Sequence, residues 1–232
     1  MGIIVKQSLR ASIVSYFGLL VGAFNSLYLF PKFIGSEGIG LLSVISSAAA
    51  LFLPLLQVGF NTSFVKFFPF FKDKPFASTF IAYAFFIPSL SFLIFVFCWP
   101  LTEGLFSWLF RHKAQIIFSN IQWVLPITGI FIFFGLFETL SRAHYKIVFP
   151  TIIRNFIWRI LMTFGVCLIG FNYLEMDYLV DILMWSWVIS FIILFTYVFS
   201  SGQFKIGFNR NIFKSKDFKR FNSFSGYVIF LA

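Results

Sequence analysis

Two arginines stand inside an apolar run, where a cation is hard to place. Arg154 and Arg159 fall within residues 148–170, a stretch long enough to cross a bilayer. On insertion scales such a charge costs at least about 2.5 kcal/mol, so it normally faces a bundle interior or a wet cavity. Counted from Pro150 at about 1.5 Å per residue, Arg159 lies roughly 13 Å inside, too deep to snorkel easily, whereas Arg154 can reach the surface. Asn155, Arg159 and Thr163 share one helix face at i, i+4 spacing, which offers an anionic ligand one charge and two hydrogen-bonding groups. Glu138 precedes Arg142 by four residues, a spacing that permits a local ion pair. Alternatively, Glu138 neutralises Arg159 from the neighbouring helix or carries a coupling proton.

The elements that must position these groups are also marked. In the first apolar run Ser8, Ala11, Ser15, Gly18, Gly22 and Asn25 follow steps of three and four, and in the second Ser43, Ser47, Ala50, Pro54, Gln57 and Asn61 repeat the pattern. Such stripes either let helix backbones approach closely or form the wall of a wet cavity. Pro54, Pro88 and Pro126 interrupt helical runs, each removing a backbone hydrogen bond. No catalytic or metal set is visible: His112 and His144 fall in loops, and no nucleophile stands beside a base. A glycine-rich phosphate loop is absent too, so the sequence asks for no cofactor and predicts no enzyme.

Composition fixes the solvent. Hydrophobic residues make up 59% of the 232-residue chain, charged residues 11%, and mean hydropathy is +0.92, too little polar surface to coat a water-soluble globule. Apolar runs of spanning length read as 9–31, 40–64, 77–100, 116–141, 148–170 and 178–200. A seventh begins near Phe224 and is cut off at Ala232, as expected for the front part of a longer protein. The expected fold is an all-α polytopic membrane protein: a six-helix lobe over residues 1–200, a basic linker over 201–222 and the start of a seventh helix over 223–232. The 39 phenylalanines carry no site, and Cys98 and Cys167 fall in apolar runs as small buried hydrophobes.

Charge gives orientation rather than a nucleic-acid partner. Of the 18 lysines and arginines behind the net charge of +10, thirteen fall on one side of the spans, from Lys6 and Arg10 to the cluster at 205–220. The other side holds only Lys32, Arg111 and Lys113. Positive charge stays inside, so the N-terminus is expected in the cytoplasm, as an uncleaved first helix. In 201–222, Phe204, Phe208 and Ile212 recur among basic residues, which fits either an amphipathic helix on anionic membrane lipids or a solvated linker.

The stretch from residue 7 to 69, QSLRASIVSYFGLLVGAFNSLYLFPKFIGSEGIGLLS followed by LLQVGFNTSFVKFFP, resembles the oligosaccharide flippases, the Wzx-like polysaccharide exporters of the multidrug/oligosaccharidyl-lipid/polysaccharide superfamily. The resemblance rests on a basic start, then Pro31, Lys32, Gly35, Glu37 and Gly40 at the turn into the second helix, then Gly59 and a basic residue at its end. It implies two six-helix lobes around a central cavity, alternating access, and export of an undecaprenyl-pyrophosphate-linked glycan, such as an O-antigen unit of lipopolysaccharide, across the cell inner membrane. Other polysaccharide-assembly proteins would be its partners. Cavity cations implied to attract the pyrophosphate are Arg10, Lys66, Arg154 and Arg159, with Asn155, Asn61, Gln57 and Asn25 as polar neighbours and Glu138 as the ion-coupling residue. Lys66 keeps the charge where the family more often has Arg, but loses the bidentate fork. The rival expectations are a multidrug cation antiporter of the same superfamily and a membrane-integral glycan-modifying enzyme.

Overall fold

The computed structural model describes residues 3–110 and 120–231; Arg111, His112, Lys113 and Ala232 lie outside them. Helix α1 (Ile3–Phe24) runs through a π-helical turn (Asn25–Leu29) into α2 (Phe30–Phe33) as one crossing. After a left-handed Gly35, α3 (Gly35–Leu51) and α4 (Leu53–Gln57) make the second, and α5 (Phe60–Phe71) follows. The remaining helices are α6 (Ala77–Phe110), α7 (Val124–Ala143), α8 (Val148–Ile152), α9 (Trp158–Gly170), α10 (Leu179–Ser200) and α11 (Lys216–Leu231), with a second π turn (Ile153–Ile157) joining α8 to α9. Six stretches are long and apolar enough to cross a membrane: Gln7–Phe33, Gly35–Gln57, Ala77–Thr102, Ile121–Ala143, Val148–Gly170 and Met176–Ser200. The chain is an all-α, multi-pass membrane protein, with no strand among the described residues.

The second crossing differs from the expected 40–64. It ends at Gln57, because Val58 (φ 51°) and Gly59 (φ 65°) both take the left-handed conformation and break the helix. Gly59 adopts that conformation without the steric cost borne by a β-branched residue such as Val58. Pro54 sits in the first turn of α4, where its missing N–H costs no helical bond.

Helix α7 is the central post. Two thirds (67%) of its most apolar stretch is buried, against 17–28% for the other crossings, and it touches α3, α4, α5, α6 and α10. Helix α1 is the outermost, held mainly by α8, the second π turn and α9. Its Phe17, Leu20 and Phe24 face outward, as lipid-facing side chains do.

One end of the bundle is basic. Lys74 pairs with Asp217 at 2.9 Å, the tilted rings of His144 and Phe68 lie 4.8 Å apart, and the Ile147 N–H donates to Gln7 at 3.5 Å. Together with Lys146 over the Tyr197 ring, these contacts gather the start of α1, the ends of α5, α7 and α10, and the start of α11. The linker over 201–222 is not an amphipathic helix across Phe204, Phe208 and Ile212. It is an extended segment with a 3-10 turn at Arg210–Lys214, and Phe204 packs among Phe85 and Phe137 while Ile212 is fully buried. Helix α11 starts at Lys216 rather than 223, and Phe218 and Phe221 join an aromatic cluster with Phe64, Phe71 and Phe80. The aromatic contacts that pull these side chains inward are the reason the helix begins early.

Candidate functional site

Near the basic end of α7, Glu138 is 5% exposed, and both of its oxygens hold arginines. Arg142, one turn along, donates from Nη2 to Oε1 at 2.5 Å; Arg154, in the second π turn, donates from Nη1 to Oε2 at 3.2 Å. A π turn inserts one residue into the helical repeat and re-aims the side chains it carries. The two guanidinium groups remain about half exposed, at 46% and 54%. With one donor each engaged in these bonds, they keep further N–H groups for a ligand. The cluster carries a net charge of about +1 from two cations and one carboxylate.

Two cavities meet at this cluster. One, of about 600 Å³, separates α1 from α7 and is lined by Ser12, Ser15, Tyr16, Thr151 and Asn155 together with the triad. The other, of about 680 Å³, lies on the α4–α5 side and is lined by Gln57, Asn61, Lys66, Phe134 and Trp187, again with the triad. Gly135 opens this second wall: a Cβ there would sit 3.0 Å from Gln57 Nε2 and 3.3 Å from Asn61 Nδ2. Lys66 Nζ lies 3.6 Å from the centre of the Phe224 ring, a cation–π contact that ties the amine to α11. Asn61 Oδ1 and the Trp187 indole N–H are buried with no hydrogen-bond partner among the described residues, a costly arrangement that marks groups able to gain from a ligand or a change of packing.

Arg159 is placed elsewhere. Its guanidinium donates to the Gly18 carbonyl on α1, and Gly22 leaves room for it, since a Cβ there would overlap the guanidinium. The rest of the face expected to hold a ligand is likewise engaged with the first crossing: Asn155 donates to Ser15 at 3.0 Å, and Asn25 donates to Thr163 at 2.8 Å. Asn25 is 3% exposed, and it lines a third cavity of about 390 Å³ with Arg159 and Trp158. The alternative pairing of Glu138 with Arg159 is therefore not found; Glu138 is held by Arg142, as the i, i+4 spacing allowed, and by Arg154. Arg10 is exposed and lines none of these cavities.

The geometry thus brings Arg154, Lys66, Gln57, Asn61 and Glu138 to connected space and sets Arg159, Asn25 and Arg10 apart, with Asn155 at the edge. Sequence reasoning gave the Glu138–Arg142 pair through its i, i+4 spacing but did not bring Arg154 to the same carboxylate. It missed Trp187 altogether, because a tryptophan in an apolar run carries no mark of its own. No metal-binding group of His, Cys, Asp and Glu occurs among the described residues. The chain matches no protein-family model, no curated protein and no solved structure at a significant level.

Proposed function

We propose that this chain is a flippase that moves a lipid-linked oligosaccharide across the inner membrane by alternating access, with its N-terminus in the cytoplasm and no chemistry on the substrate. The observation that carries the reading is the carboxylate-bridged arginine pair at the meeting of two cavities. Glu138 holds two guanidinium groups side by side with free donors, the arrangement a phosphate group recognises through paired charged hydrogen bonds. Lys66 adds a third cation to the wall. Beyond the cations, Gln57, Asn61 and Trp187 supply the amide and aromatic surface that suits sugar hydroxyls and ring faces. The left-handed pair Val58–Gly59 ends the second crossing and separates it from α5, a joint of the kind at which transporter helices reorient. Positive charge gathered at one end supports the cytoplasmic assignment of that end. Drug cations fit less well, because both oxygens of the buried Glu138 are already engaged by arginines.

Complementation tests the reading: the full-length gene is placed in a bacterium lacking its own O-antigen flippase, and surface glycan is compared for wild type, Arg154→Ala, Arg142→Ala and Arg154→Lys. Loss of one charged hydrogen-bonding partner predicts a fall of about tenfold or more for each alanine, with partial return for lysine. Restoration by wild type and by both alanine variants alike would remove the arginine pair from the mechanism.

A further inference from the structure

The segment joining α10 to α11 is fixed in place yet carries large apolar side chains outward. Its backbone is pinned across the start of α6. The Asn209 N–H donates to Thr79 at 2.8 Å, and Gly207 lies so close to Ser78 that a Cβ would overlap the hydroxyl. Ile212 is buried below. With the backbone held in that register, Ile206, Phe208 and Phe213 stand 69%, 76% and 46% exposed. Interleaved with them are the exposed cations Lys205, Arg210 and Lys214.

Position and charge together name the occupant. The segment leaves the sixth crossing at Ser200 and passes over Ala77–Thr79, where the third begins, so it runs at the level where the helices exit the hydrocarbon. Over 201–222 there are six cations and one acid, Asp217, which Lys74 already holds. Aromatic and aliphatic side chains alternating with cations at that depth match the boundary between acyl chains and anionic headgroups: apolar tips enter, charges stay at the phosphates. We infer that this strap is a built docking surface for anionic phospholipid, with Ile206, Phe208 and Phe213 as the inserted wedge and Lys205, Arg210 and Lys214 as the headgroup contacts. The surface does not depend on what the cavities carry, so it stands or falls separately from the flippase reading.

The test uses the chain in nanodiscs of phosphatidylcholine alone or with phosphatidylglycerol. In a Cys98→Ala, Cys167→Ala background, Phe208→Cys is labelled with the polarity-sensitive dye NBD, and some discs carry a nitroxide on the lipid headgroup. Ile206→Cys, labelled in the same way, guards against a local disturbance. The expected result is a blue shift with strong nitroxide quenching in discs containing phosphatidylglycerol, and loss of both when Lys205, Arg210 and Lys214 are changed to Gln. Water-like emission in every disc would overturn the inference. A blue shift without quenching would overturn it by assigning the surface to protein, and equal quenching without phosphatidylglycerol would overturn the anionic specificity.

Discussion

Glu138 carries more than its own pairings, and removing it should be felt as both instability and repulsion. Truncating one member of a buried ion cluster costs several kcal/mol when its partners are sealed from water, but Arg142 and Arg154 are about half exposed and can be hydrated. We therefore expect Glu138→Ala to cost about 1–2 kcal/mol, read as a fall in melting temperature in detergent, and Glu138→Gln to cost less. Arg159 and Arg154 should separate cleanly. Arg159→Leu should lower stability by loosening α1 from α9, while Arg154→Ala should keep the melting temperature near wild type and lose glycan export. The opposite pattern would return the anion site to Arg159. Depth and the i, i+4 face with Asn155 and Thr163 drew attention to Arg159 in the sequence, and neither could distinguish a cation serving a ligand from one bonded to the Gly18 carbonyl.

Within and between helices, glycines report which contacts can yield. Gly18 faces the Asn155 backbone, which cannot move without shifting the second π turn, whereas Gly22 faces the flexible end of Arg159. Gly18→Ala should cost about 2 kcal/mol and Gly22→Ala clearly less, measured by thermal unfolding. Gly59→Ala should also be costly, because its left-handed φ is combined with Ser225 and Val228 within 3 Å of the added carbon. At the end of α7, His144 is held below its ordinary value of 6.5, first by burial and then by Lys72 and Lys146, against a hydrogen bond to the Leu140 carbonyl. A lowered folded pKa means that the unfolded chain takes up the proton first. His144 therefore contributes stability that is present above pH 6.5 and lost as pH falls through the folded value. A melting temperature that declines on acidification for wild type, with a shallower decline in His144→Gln, is the expected outcome.

Across the whole molecule, the number of crossings and the basic end were legible in the sequence, because apolar length and lysine and arginine placement are physical requirements of the bilayer. The break after Gln57 was not: a valine in the left-handed region has no sequence signature, and Pro54 drew the eye four residues too early. The inward turn of Phe204 and Ile212 was also hidden, since alternating Phe and Lys reads the same whether the apolar side chains meet lipid or one another. The arginine pair was half legible, through spacing within α7 but not through the fold that brings Arg154 across. Burial sets a further expectation: Leu140→Ala, at a fully buried site on the central post, should cost about 2–5 kcal/mol, whereas Leu27→Ala, 81% exposed, should be nearly silent in a thermal melt. The Val58–Gly59 break gives the molecule a joint. A straight helix changes direction only by giving up backbone hydrogen bonds, but here those bonds are already interrupted, so α5 and the aromatic cluster it shares with α11 can tilt as a lever against α3 and α4. Because Gln57 and Asn61 sit on either side of that joint, any such tilt changes the spacing of the two amides and thereby the shape of the cavity between them.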